Sequence, residues 1–182
     1  AERFLNQKHG CVSKGGKLLK HENEKSFEHI DRKGPYPWML HAVVNGMKCE
    51  CCGEEKYPWR PGVYDVHTDG LDDLYGHMDF QIVVGMDIHI TAALLNEMGC
   101  RVRAGVQYKQ GDVLDDLLTG GYQVRLDLTT DSAAIPVLRI VLPDVAGRWP
   151  EEEDCEYPFS LQLAPTHMLR NLDRSEENHT DT

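Results

Sequence analysis

Three cysteines stand close together in the segment MKCECCGEE, at Cys49, Cys51 and Cys52. Cysteine thiolates bind zinc well, and a structural zinc site needs four donors arranged as a tetrahedron. The segment supplies three donors at most, and strong zinc signatures carry a second, separated cysteine pair that this sequence lacks. We therefore expect either a zinc site that takes its fourth ligand from another part of the fold, or an exposed thiol-rich loop.

Two histidines and two aspartates flank one tight loop, at His67, Asp69, His77 and Asp79. If the strand ends bring both imidazoles together, the rings could hold a metal ion or exchange a proton with a carboxylate. The alternative is local, because aspartates commonly accept hydrogen bonds from turn amides and a histidine can bond to the backbone. Under the first interpretation His67, His77 and Asp79 are the candidate catalytic residues.

The segment KYPWRPG combines Tyr57, Trp59 and Arg60, the residue types that contribute most to protein interfaces. Large exposed apolar surfaces on a protein usually mark a binding site, so these three are candidate partner-binding residues. The alternative is that the side chains pack inward and anchor the loop.

The remaining motifs indicate structure more than catalysis. In PDVAGRWP, Asp144 and Arg148 are expected to form a buried pair that holds a turn. GGYQ precedes an expected strand instead of opening a helix, so it lacks the context of a phosphate-binding loop. The sequence contains no G-x-S-x-G, H-E-x-x-H or Walker pattern, which weighs against enzymatic activity without excluding it.

The patterns of apolar residues predict the elements that must position these side chains. Strands are expected at residues 36–44, 63–68, 79–86, 122–130 and 135–142, with a final edge strand in 157–165. The first of these strands is expected to be buried. The order of strands and helices has no regular βαβ alternation and favours an α+β fold, with a mainly antiparallel sheet and helices packed on one face.

Two helices are predicted between the strands. Helical spacing of Ile88, Leu95 and Met98 predicts a helix that begins after an N-cap at Asp87 and ends near Gly99. A shorter helix is expected over residues 112–118, and the glycines that follow it would end it.

Composition divides the chain into one domain and two terminal segments. Residues 1–16 are expected to be a flexible arm because they mix charges with three glycines, and residues 171–182 a disordered tail because the last ten residues have almost no apolar content. Residues 17–170 are expected to form a single domain, which starts with a short surface helix over 17–33 and carries residues 47–62 as a cysteine-rich loop insertion.

The net charge of −11 excludes several classes of partner. A field of this sign repels nucleic acid and anionic lipid, whereas an acidic surface can still meet a basic patch on a protein. No apolar run approaches the roughly 20 residues that span a bilayer, and the supplied N-terminus lacks an apolar signal region, so a cytoplasmic location is expected. The six cysteines are expected to be reduced thiols, because their spacing is uneven and a chain of this length needs no disulfides.

Residues 63–165 resemble the bacterial family known as domain of unknown function 4262. The resemblance is carried by ordered blocks at matching spacing, namely HTDGL (67–71), GHMDF (76–80), LLNEMGCRVRAG (94–105), DDLL (115–118) and VLRIVLPDVAGRWPEE (137–152). His67 stands where the family usually has tyrosine, Met78 where it has proline, and Asp79 where it has glutamate. The resemblance implies a fold and carries no activity with it.

The sequence thus favours a small acidic protein that binds a protein partner, as an accessory or inhibitory factor, with residues 47–62 and the acidic run 151–156 as contact surfaces. The competing hypothesis is a metal-dependent enzyme or zinc-stabilised domain, in which His67, His77 and the cysteine segment approach one another.

Overall fold

The structure is a computed structural model that describes residues 30–48, 53, 55–56 and 58–171. The expected arm at 1–16, the surface helix at 17–33 apart from its last residues, and the tail apart from Asn171 lie outside these residues. The strands are β1 (Met39–Val43), β2 (Met47–Lys48), β3 (Glu55–Lys56), β4 (Val63–Asp69), β5 (Asp79–Val84), β6 (Val113–Leu114), β7 (Val124–Thr130) and β8 (Pro136–Val141). The helices are α1 (Leu71–Tyr75) and α2 (Ile88–Arg103), and short 3₁₀ turns cover Thr119–Gly121, Phe159–Leu161 and Thr166–Leu169.

Six strands form one mixed sheet in the order β1-β4-β5-β8-β7-β6. Every neighbouring pair is antiparallel except β5 and β8, which run parallel at the centre. β2 and β3 form a separate two-stranded ladder. The α+β class and the mainly antiparallel sheet are therefore confirmed.

The two faces of the sheet differ in chemistry, because successive side chains in a strand point to opposite sides. One face presents apolar partners across neighbouring strands, such as Val66 beside Ile82 and Phe80 beside Leu138. α2 packs against β4 and β5 and contributes Leu95 and Met98, both fully buried, to the same core. The opposite face carries polar side chains, which are described below.

α2 begins where the sequence predicts and ends later. The Asp87 side chain accepts from the backbone N–H groups of His89 and Ile90, which confirms the N-cap. The helix continues through Gly99 to Arg103, so the predicted end is wrong. Gly99 serves packing instead of termination, because a Cβ there would lie 2.5 Å from the Trp38 ring. The prediction that Ile88 lies on the buried face is also wrong, since Ile88 is 42% exposed.

Three other predicted elements are corrected by the structure. Residues 112–118 form β6 and a series of bends instead of a helix, because the Leu126 N–H donates to the Asp112 carbonyl and draws the segment alongside β7. Residues 157–165 form turns, including the 3₁₀ turn Phe159–Leu161, instead of an edge strand. The strand at 36–44 is shorter than expected and is not buried, because β1 lies at the edge of the sheet.

Among the helices of the described residues, none has the length and apolar character that crossing a bilayer requires.

Candidate functional site

A row of polar side chains crosses the second face of the sheet from the edge strand β1 to β7. Cross-strand neighbours share a face, and the register pairs His41 with His67, His67 with Gln81, Gln81 with Arg139, and Arg139 with Asp127. We call these five residues the polar row. Its three central members, His67, Gln81 and Arg139, are buried. Buried polar groups need partners, so the row is the first place to look for chemistry.

His67 lies between two carboxylates inside this row. Its Nδ1 lies 3.1 Å from Asp65 Oδ1, and its Nε2 lies 3.6 Å from Asp131 Oδ2. Asp65 also accepts from Gln81 Nε2 at 2.8 Å and from the Ser132 backbone N–H at 2.9 Å. Since Asp65 is fully buried and Asp131 and His67 nearly so, this is an ionic group held away from water. We call Asp65, His67 and Asp131 the His67 cluster.

The environment shifts the proton affinities of this cluster in opposite directions. Burial alone lowers the pKa of His67, but the hydrogen bond to Asp65 and the charges of Asp65 and Asp131 outweigh it, so the pKa lies above its usual value. Burial raises the pKa of Asp65, but hydrogen bonds from His67, Gln81 and Ser132 bring it below its usual value. Both shifts favour the charged pair of imidazolium and carboxylate over the neutral pair.

Arg139 lies between Gln81 and Asp127 in the polar row and holds the C-terminal turns onto it. Its Nη1 donates to the backbone carbonyls of Gln162 at 2.5 Å and Ala164 at 2.7 Å, and its Nη2 donates to Thr166 Oγ1 at 2.6 Å. Its Nε donates to Gln81 Oε1 at 2.9 Å. Burial lowers the pKa of Arg139 to about 10. None of these acceptors is a carboxylate, so the role of the guanidinium is to hold the C-terminal turns against the sheet by hydrogen bonds.

The polar row reaches solvent at β1. The His41 side chain is half-exposed, its Nε2 lies 3.4 Å from Asp69 Oδ2, and its ring centre lies 5.5 Å from that of His67. β1 therefore brings a second imidazole next to the buried one, at the open end of the row.

His77 and Asp79, predicted beside His67 as catalytic candidates, do not join it in the His67 cluster. His77 Nδ1 donates to the Met78 carbonyl at 2.6 Å, and Nε2 accepts from the Tyr108 backbone N–H at 3.0 Å. Both ring nitrogens are thus occupied by backbone. Asp79 accepts from Thr68 Oγ1 and from the N–H groups of Gly70 and Leu71 at the start of α1. The local alternative describes both residues.

In the segment KYPWRPG, one predicted partner-binding residue packs inward and another is exposed. Trp59 packs inward, with 1% of its surface exposed, and its Nε1 donates to the Val43 carbonyl at 2.6 Å. Arg60 is exposed. Tyr57 and the three cysteines, Cys49, Cys51 and Cys52, lie outside the described residues.

Within the part of the chain that the structure describes, no three side chains of His, Cys, Asp or Glu are grouped so that they could hold a metal ion. His67 is close to two carboxylates, but the three do not converge on one point.

Sequence reasoning missed Asp65, Gln81, Asp131 and Arg139. The available signal was a polar residue between apolar neighbours in a predicted strand, as Asp65 is in VYDVHT, Gln81 in FQIVV and Arg139 in VLRIV. Such a residue usually faces solvent in an antiparallel sheet, and only the register and the C-terminal cover reveal that these are buried together.

The turn predicted in PDVAGRWP is present. Asp144 Oδ1 accepts from the backbone N–H groups of Ala146 and Arg148, and Asp144 Oδ2 accepts from Arg148 Nε at 2.7 Å. The Asp144 carboxyl is buried, which raises its pKa, but backbone N–H donors and the Arg148 guanidinium lower it to about 2.

The comparison with protein families gives one match. The model of the family described as "Domain of unknown function (DUF4262)" matches residues 65–156, just over half of the chain. The matched segment contains the His67 cluster and Arg139, whereas β1 lies before it and the turns that receive Arg139 lie after it. No curated protein and no solved structure matches the chain.

Proposed function

This chain belongs to the DUF4262 family, and we propose that it is a cytoplasmic, protein-binding accessory or inhibitory factor that holds its partner along the outer edge of β1. The free thiols of Cys100 and Cys155 agree with a reducing compartment.

The observation that carries this proposal is the difference between the two edges of the sheet. β6 is two residues long, and a short edge strand offers little backbone for pairing. β1 is five residues long, and its outer edge has no partner among the described residues. Its sequence MLHAV contains no proline and no Lys, Arg, Asp or Glu, the residues that usually protect an edge.

Strand addition is the binding mode that such an edge supports. An extended segment of a partner gains main-chain hydrogen bonds from the edge, and side chains on alternate faces give selectivity. Met39 is 60% exposed, and His41 and Ala42 are exposed as well. A partner strand would lie beside all three of these side chains.

The catalytic hypothesis receives less support from the contacts. His77 and Asp79 are engaged by the backbone, and His67 is sealed between Asp65 and Asp131. A general acid or base must reach a substrate within hydrogen-bonding distance, and His67 is only 7% exposed.

The proposal also takes residues 17–170 as one domain with both helices over one face of the sheet. One apolar cluster containing Leu71 of α1, Leu95 of α2 and Ile140 of β8 supports this arrangement.

The edge is tested by affinity capture from the native host with the full chain as bait. We expect Met39→Lys and Ala42→Lys each to lower recovery of the specific partner about tenfold, because a charge on the edge opposes strand pairing. Val145→Lys is the matched control, since Val145 is 70% exposed in a turn outside the sheet. Urea unfolding should place all three variants within about 0.5 kcal/mol of the parent. Equal recovery with all three would assign the contact to another surface, and a concentration-dependent dimer that Met39→Lys abolishes would make the partner a second copy.

A zinc-stabilised hairpin is the second candidate. Lys48 and Glu55 are direct partners in the β2–β3 ladder, so the segment that carries the cysteines begins and ends at neighbouring positions. We expect purified protein to hold about one equivalent of zinc, and Cys49→Ser and Cys51→Ser to lose both the metal and thermal stability. Cys155→Ser, which changes a thiol outside the hairpin, is the control. Metal-free protein with an unchanged melting temperature in the Cys49 and Cys51 variants would eliminate this candidate.

A further inference from the structure

We propose that His67 is a proton-operated latch on the turn between β7 and β8, residues 131–135, which stays closed while the imidazole is protonated and opens when the proton leaves. This inference is independent of the partner-binding edge.

The carboxylates that flank His67 also hold the turn, together with backbone bonds from the Asp131 N–H to the Ile135 carbonyl and from the Ala134 N–H to the Asp131 carbonyl. Asp131 Oδ1 accepts from the N–H groups of Ala133 at 2.8 Å and Ile135 at 2.9 Å, and Asp65 Oδ2 accepts from the Ser132 N–H at 2.9 Å. The remaining oxygens, Asp65 Oδ1 and Asp131 Oδ2, face the two nitrogens of His67. The imidazolium therefore lies between a carboxylate of the sheet and a carboxylate of the turn, and it attracts both.

His67 is the cation that directly contacts these carboxylates within the described residues. β5 contributes neutral Gln81, which donates to Asp65, and more distantly the negative charge of Asp79. β8 contributes Arg139, whose donors all go to carbonyl, amide and hydroxyl oxygens, although its positive charge also acts on Asp65. The C-terminal segment contributes Arg170, which donates to the Ser132 carbonyl at 3.5 Å. β1 contributes His41, which faces Asp69.

Loss of the His67 proton changes the electrostatics of the turn. The closed state then holds two carboxylates in a buried site with no imidazolium between them, which is unfavourable in a low-dielectric environment. Nδ1 can remain hydrogen-bonded to Asp65, but the attraction between Nε2 and Asp131 is lost. Asp131 lies on the movable side, so the turn is the part that opens.

The direction of the pH effect follows from the shift described above. The pKa of His67 is raised in the closed state, so its stabilising contribution is complete below the ordinary histidine value. That contribution is lost as pH rises through the closed-state pKa. The latch is therefore closed in weak acid and opens on the alkaline side of the histidine range.

The backbone of the turn favours opening. Ala134 has φ 65°, a left-handed conformation that is unfavourable for a residue with a Cβ. This conformation is tolerated while the hydrogen bonds to Asp131 and Asp65 hold the turn in place.

The Asp144 turn is a built-in control. Its aspartate accepts from the N–H groups two and four residues ahead, the same pattern that Asp131 makes with Ala133 and Ile135. Its charge partner is Arg148, a guanidinium that keeps its proton throughout the histidine range. The two turns therefore differ in whether the partner can titrate.

The test is amide hydrogen exchange on the full chain between pH 5.5 and 9, corrected for intrinsic rates, with the His67 pKa measured on the same samples by NMR. We expect protection of residues 132–135 to fall about tenfold for each unit by which the His67 pKa is raised, and the fall should lie between the ordinary histidine pKa and the measured one. Protection of residues 145–148 should stay constant. Protection at 132–135 that does not change across the His67 titration would overturn the proposal.

Two variants separate the latch from a merely structural histidine. Asp131→Asn keeps the Oδ1 acceptor and removes the charge, so its turn should show exchange that no longer depends on His67 protonation. His67→Gln should show low protection of residues 132–135 at every pH. Retention of the full pH dependence in either variant would contradict the proposal, and if His67→Gln does not fold, the parent and Asp131→Asn still decide.

Discussion

Replacing Gly99 with alanine should destabilise the protein by about 2–3 kcal/mol, although alanine is the better helix former by about 1 kcal/mol. The new Cβ would lie 2.5 Å from Trp38 Cζ2 and 2.6 Å from Cε2, far inside contact distance. The indole cannot retreat easily, because Nε1 donates to Asn96 Oδ1 at 3.0 Å and the ring stacks on Tyr36. Arg103 lies over the same ring and fixes it further. Urea denaturation of the two proteins measures the difference.

The control measures the effect of Gly99→Ala in a protein that lacks the Trp38 indole, where the sign of the stability change should reverse. In a Trp38→Leu background the indole atoms are gone, and Gly99→Ala should become neutral or stabilising by up to about 1 kcal/mol through helix propensity. A destabilisation of the same size in both backgrounds would show that Trp38 is not what alanine meets. The double-mutant cycle therefore reads the contact between α2 and Trp38 directly.

Replacing Arg139 with methionine should destabilise the protein by at least about 3 kcal/mol. Methionine fills much of the space, but it leaves Gln81 Oε1 and the carbonyls of Gln162 and Ala164 without their donor. Each buried acceptor left unsatisfied costs about 1–3 kcal/mol, which outweighs relief from burying a guanidinium. We also expect limited proteolysis to cut residues 159–170 earlier, because Arg139 holds those turns to the sheet.

Arg125→Met is the matched control for the Arg139 variant. Arg125 is an arginine of the neighbouring strand β7, and it pairs with Asp127 and Glu151 near the surface. Partly exposed pairs of this kind contribute about 0–1 kcal/mol, so this variant should stay close to the parent. Equal losses in the two variants would mean that the hydrogen bonds of Arg139 do not stabilise the fold more than a surface pair does.

Local patterns predicted the elements whose signals are contained in a few neighbouring residues. Asp87 caps α2 because its side chain and the amides it serves are adjacent in sequence. The strands at residues 63–69, 79–84 and 124–130 follow from apolar runs and alternation. The family resemblance likewise rests on ordered local blocks, and the match over residues 65–156 confirms it.

Long-range packing decided the features that the sequence concealed. In the sequence Gly99 indicates the end of a helix, but in the fold its missing side chain leaves room for the Trp38 ring, which lies 61 positions away. The leucines of residues 112–118 indicate a helix, yet β7 draws Asp112 into backbone pairing. The polar row exists only after register brings His67, Gln81 and Arg139 side by side from three separate strands.

The central pairing of β5 with β8 divides the sheet into an early and a late half. β1, β4 and β5 can pair with one another as soon as residue 84 is available, whereas β8 ends at residue 141. Joining the halves closes a long excursion of chain that contains α2, and such non-local closure slows folding. On the ribosome, a nascent chain would therefore expose the unpaired edge of β5 until β8 has been synthesised. Until then His67 and Gln81 would lack their contacts with Asp131 and Arg139.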